Sequence, residues 1–119
     1  MASRKPIEEI IMGHVARDAS LLRLFQEKQI DLRAPRSIEC HFWSWSEEES
    51  AALAEALKQR GFEILRRTRA AIANDPARWN LEASVKQSIE LTMTREFIGD
   101  LVKLADSYGG LYDGWGTSI

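Results

Sequence analysis

Cysteine occurs once in the 119 residues, at Cys40, so no intrachain disulfide can form and disulfide-stapled secreted scaffolds are excluded. Long apolar runs are also missing. Nothing approaches the roughly 20 residues that a helix needs to cross a bilayer, and the opening stretch "MASRKPIEEIIMGH" lacks the apolar centre of a signal peptide. The expectation is a soluble protein of the reducing cytoplasm. Histidine is confined to His14 and His41, far apart in sequence, and in a strand Cys40 points away from His41, so no compact metal-ligand set is visible. There is no glycine-rich phosphate loop either, because "YGGLYDGWG" opens no helix. Neither metal nor cofactor is expected. Charge of one sign is not in excess: 16 basic and 18 acidic residues leave a formal net charge of -2, which draws the chain to neither nucleic acid nor an anionic membrane.

What is present suits one hydrophobic core. Apolar residues make up 45% and charged residues 29%, ordinary proportions for a folded domain of this length. Pro6 suits the first turn of a helix, and Ile7, Ile10, Ile11 and His14 follow at helical spacing. Asp18 reads as an N-cap before a second stripe of Leu21, Leu22 and Phe25, which either starts a new helix or continues the first. Pro35 ends the pattern and biases Ala34 toward extended backbone. In "SIECHFWSW" Ile38, Cys40 and Phe42 alternate with Glu39, His41 and Trp43, the period of a strand. Ser46 and Glu49 form a capping box for a helix that carries Leu53 and Leu57 inward and stops at Gly61. "FEILRRTRAAI" and "RWNLEASVKQSI" read as two strands joined through the turn formers of "ANDPA". Thr92 or Thr94 caps a last helix through Phe97, Leu101, Leu104 and Tyr108, which Gly109 and Gly110 terminate before a final strand.

The order strand, helix, strand, strand, helix, strand, wound with right-handed crossovers, predicts an α+β ferredoxin-like sandwich with four antiparallel strands and both crossover helices on one face. Residues 1–33 are expected to form a helical segment packed on this unit and residues 34–119 the unit itself, one domain in all.

The closing "LYDGWGT" is the most distinctive stretch. In an extended strand Tyr112, Gly114 and Gly116 would share one face, with Leu111, Asp113 and Trp115 on the other. Two glycines at alternate positions mean close approach by something, for which a tight edge strand and a ligand contact are both sufficient explanations. The run "LADSYGGLYDGWGTSI", with "IDLRAPRSIECHFWSWSEEE" upstream, resembles the RraB family, the regulators of ribonuclease E activity, over roughly Asp18 to Thr117. The resemblance implies the same sandwich fold and a protein that binds the endoribonuclease and lowers its activity without chemistry of its own. It carries over as motif positions Tyr112, Asp113, Gly114, Trp115, Gly116 and Thr117, together with His41 of the first strand.

Three constellations remain. The first strand of this fold neighbours the last, so if Asp113 shares the side of His41 the two can pair, either as a structural hydrogen bond or as the oriented base of a small hydrolase. Trp43 and Trp79 beside Arg66, Arg67 and Arg69 outline a single-strand RNA surface, for which a charged strand edge is the plainer explanation. The amphipathic segment from Ile7 to Phe25 packs on the core or meets a partner, and its interruption by His14 and Asp18 suits a polar contact. The resulting expectation is a non-enzymatic regulatory module, monomeric or weakly dimeric, that binds ribonuclease E or another component of RNA degradation. Its interaction candidates are His41, Trp43, Tyr112, Asp113 and Trp115, with Gly114, Gly116 and Thr117 as structural motif residues. A single-strand RNA-binding domain is the alternative, followed by a hydrolase using His41.

Overall fold

The alternation in "SIECHFWS" builds β1 (Arg36–Ser44), whose Ile38, Cys40, Phe42 and Ser44 are buried while the residues between them are open or half-open. The structure, a computed structural model of the chain, describes residues 6–70 and 78–118. Three further strands flank β1: β2 (Glu63–Arg69), β3 (Trp79–Gln87) and β4 (Leu111–Gly116). The sheet order is β2-β3-β1-β4 with every neighbouring pair antiparallel, the order of the ferredoxin-like sandwich. The turn expected at "ANDPA" between β2 and β3 lies outside the described residues.

Helix α1 (Ile7–Glu27) is continuous, so Asp18 sits in its middle and not at a cap. No breaker separates the two apolar stripes, and Asp18 finds its polar partner in tertiary contact instead, as described below. The helix ends without glycine: Gln29 takes the left-handed conformation at φ 56°, while Ile30 donates to the Phe25 carbonyl at 3.0 Å. Helix α2 (Glu47–Gln59) starts as the capping box predicts, with Glu49 N–H donating to Ser46 Oγ at 3.1 Å, and stops at Gly61, φ 91°. A single turn, α3 (Ile89–Thr92), was not legible as a helix, being one turn long; Ser88 caps it. Helix α4 (Arg95–Ser107) is capped by Thr94, whose Oγ1 accepts from Phe97 N–H, and closed by Gly109 at φ 73°.

Helices α2 and α4 cover the face of the sheet that carries Ile38, Cys40 and Phe42, and α1 packs beside α4. One core joins these layers. Ile38, Leu53, Leu57, Leu81, Ile98 and Leu101 have no exposed surface, and Ile11 and Phe25 bring α1 into the same cluster. Burying each such side chain contributes roughly 1.5–3 kcal/mol, before the entropy of ordering the chain is set against it. Arg60 clamps Asp100 with two contacts of 3.0 and 2.8 Å between α2 and α4, and Arg95 pairs with Glu8 between α4 and α1. These pairs are solvent-exposed and fix helix positions more than they stabilise them.

Candidate interaction site

The residues of the closing motif are arranged by an irregularity in β4. Phe42 lies opposite Tyr112, His41 opposite Gly114 and Cys40 opposite Trp115, so Asp113 is one residue more than β1 can match. Such a bulge reverses the facing of everything beyond it. Tyr112 and Trp115 therefore both point into the helix layer, not to opposite sides as simple alternation predicts, and they are 1% and 7% exposed. Gly114, at φ 132°, supplies the backbone geometry, which a residue with a side chain rarely adopts. Gly116 has a different environment: a Cβ there would meet nothing within 4 Å, so the expectation of close approach fails at this position. It holds at Gly114, where a Cβ would stand 2.6 Å from Arg17 Nη1, and a further close approach lies at Gly110, where a Cβ would stand 2.7 Å from the Trp43 carbonyl oxygen.

Helix α1 meets this strand with three polar side chains. His14, Arg17 and Asp18 are spaced three and four residues apart and so share one helical face. His14 Nε2 hydrogen-bonds the Tyr112 carbonyl at 3.0 Å, and the two rings lie 4.8 Å apart. Arg17 Nη1 donates to the Asp113 carbonyl at 3.3 Å. The indole Nε1 of Trp115 donates to Asp18 Oδ1 at 3.0 Å in a buried contact. Burial pushes the Asp18 carboxyl up from its ordinary value, a rise that the Trp115 hydrogen bond and the nearby His14 and Arg17 only partly oppose. The polar interruption of the apolar stripe thus answers to the chain's own last strand. At the edge, Thr117 Oγ1 donates to the Ser37 carbonyl at 2.7 Å and extends the closure.

Tyr112 and Trp115, both named above as interaction candidates, are consequently core residues and not exposed anchors. Asp113 stays exposed at the bulge, but it is not the partner of His41. That partner is Glu82, opposite His41 on β3, with Oε1 3.4 Å from His41 Nδ1 and Oε2 3.8 Å from Arg66 Nε. The bulge takes Asp113 out of register with His41, and Glu82 is the cross-strand neighbour. Cys40, beneath this face, is fully buried, and desolvation pushes its thiol up to about 12. The same burial raises the Tyr112 hydroxyl. Neither group is poised as a nucleophile.

The second face of the sheet carries Glu39, His41 and Trp43 from β1 and Asn80, Glu82 and Ser84 from β3. Trp43 is half-buried under the Arg78 guanidinium, 4.8 Å from the ring centroid. Arg66 and Thr68 share this face, whereas Arg67 and Arg69 pair with Leu81 and Trp79 on the opposite parity, where Arg67 lies 5.1 Å from the Trp79 ring. The expected platform of two tryptophans beside three arginines is split between two faces, because consecutive strand residues alternate. Arg17, Glu82 and Arg78 escaped sequence reading: the i, i+3, i+4 set of His14, Arg17 and Asp18 was legible in principle, but cross-strand partners depend on register.

Among the described residues no group of three or more histidine, cysteine or acidic side chains is arranged to hold a metal ion, and no helix is long and apolar enough to cross a membrane. Comparison with curated proteins returns no match. The profile of a protein family described as Regulator of ribonuclease activity B, RraB, matches residues 16–117, which takes in the Arg17 and Asp18 contacts, the whole sheet and the closing motif.

Proposed function

Because the chain belongs to the RraB family of ribonuclease-activity regulators, we propose that it is a regulatory module that binds a protein of the RNA-degradation machinery, with ribonuclease E as the first candidate, and performs no chemistry of its own. The observation that carries this reading is the family match over 16–117, most of the chain. The arrangement of the sheet supports it. One face is consumed by the core, and the other presents Trp43 stacked by Arg78 next to the His41, Glu82 and Arg66 ladder. An aromatic ring flanked by arginine is the composition that commonly anchors protein interfaces. His41 and Trp43 are accordingly the contact residues of this reading, while Tyr112, Gly114 and Trp115 lie against α1 and Thr117 ties the strand end to β1.

The test is cleavage of a fluorescent RNA oligonucleotide by purified ribonuclease E with increasing amounts of this protein. The wild type should slow cleavage saturably. Trp43→Ala should remain folded yet need about thirtyfold more protein, the equivalent of roughly 2 kcal/mol at an interface centre. Undiminished cleavage at saturating wild-type protein would reject this partner.

A further inference from the structure

A cleft of about 830 Å³, lined by neither His41 nor Trp43, opens between the first half of α1, the start of α2 and the turn from α4 into β4. Its apolar lining includes Ile10, Val102 and Leu111. Among the described residues its charged lining is mostly acidic: Glu9, Glu49, Asp106 and Asp113 stand against the Arg17 guanidinium, which already donates to the Asp113 carbonyl, while Glu49 Oε1 accepts from Ser46 Oγ. Trp45 also lines the cleft and is 40% exposed, so part of its side chain is open to solvent. Gly13 completes the wall. It lies inside α1, where glycine costs about 1 kcal/mol relative to alanine, and a Cβ there would meet nothing within 4 Å. No neighbour requires glycine at that position; its missing side chain leaves the cleft open.

We propose that this cleft is a docking site for a peptide segment of a protein partner, one carrying an apolar side chain flanked by lysine or arginine. The apolar lining takes the central side chain, and the volume falls in the range of sites that enclose a compact ligand. The surrounding carboxylates attract cationic neighbours on either side of it and repel a phosphate chain. The exposed Trp45 ring offers a face on which an ammonium or guanidinium can rest. This site uses neither His41 nor Trp43, so it stands or falls separately from the reading above.

The experiment is a titration of the isotope-labelled protein, followed by nuclear magnetic resonance, with two capped hexapeptides that share a leucine-phenylalanine centre. One carries lysine and arginine flanks, the other glutamate flanks. The basic peptide should produce saturable shifts at the amides of Gly13, Gly109 and Gly110 and at the Trp45 indole, and the acidic peptide none. Gly13→Phe, whose Cβ enters open space and whose ring is directed to occupy the cleft, and the charge reversal Glu9→Lys should each weaken the basic peptide by about tenfold or more while the melting temperature is kept. Equal binding of both peptides, shifts centred on Trp43, unchanged affinity in the folded Gly13→Phe protein, or no saturation up to about 1 mM would each overturn the proposal.

Discussion

At φ 132° Gly114 occupies backbone space closed to most side chains, and an added Cβ would also stand 2.6 Å from Arg17 Nη1, whereas the same addition at Gly116 meets open space. The arginine end can swing away; the backbone angle cannot be relaxed without undoing the bulge that turns Trp115 inward. Gly114→Ala should therefore cost about 1–3 kcal/mol, and Gly116→Ala should fall within about 0.5 kcal/mol of wild type. Thermal melting of the two variants checks this. Equal losses at both positions would mean that the bulge does not depend on the geometry of Gly114.

The seam between α1 and β4 is held by the His14, Arg17 and Asp18 contacts, of which only the Trp115 to Asp18 bond is buried on both sides. Asp18→Ala leaves the indole N–H without an acceptor inside the protein, a loss of about 1–3 kcal/mol by denaturant unfolding. The carboxyl adds a pH dependence. Its folded pKa is raised above the ordinary 3.8, so the folded state holds this proton more tightly than the unfolded chain does. Its contribution to stability therefore falls as pH rises from 3.8 through the raised value and is constant above it. Asp18→Asn keeps a side-chain carbonyl for Trp115 but cannot titrate. Unfolding free energies measured between about pH 4 and about pH 7 should show the wild type gaining on Asp18→Asn as pH is lowered. A gap that is flat, or that widens in favour of the variant at low pH, would contradict the buried, proton-retaining carboxyl.

Across the whole molecule, the layered arrangement divides the basic residues. Arg66 is engaged by Glu82 on the open face, Arg67 lies against Trp79 on the other, and the formal net charge is -2. A single-strand RNA contact needs cations and stacking rings on one surface. The protein should therefore bind a short unstructured RNA only weakly at low salt, and changing Arg66, Arg67 and Arg69 to glutamine together should leave that binding nearly unchanged. Filter binding over a salt series decides it: three neutralised phosphates would give a slope of about -2 in log affinity against log salt. Tight binding with such a slope, abolished in the triple variant, would make this an RNA-binding domain.

The strand, helix, strand, strand, helix, strand order of the sandwich, the capping box at Ser46 and the glycine stops at Gly61 and Gly109 were determined by the sequence alone, because periodicity and caps are local properties that a few neighbouring residues specify. The motif at 111–117 was legible as a motif for the same reason. Its facing was not. A one-residue bulge at Asp113 sends Trp115 into the core, and a bulge is a property of two strands in register, invisible in either strand by itself. Asp18 shows the same limit from the other side. Followed by an apolar stripe, an aspartate reads as a helix start, yet its partner is 97 residues away, and only the packing of α1 against β4 brought the indole within 3.0 Å of its carboxylate.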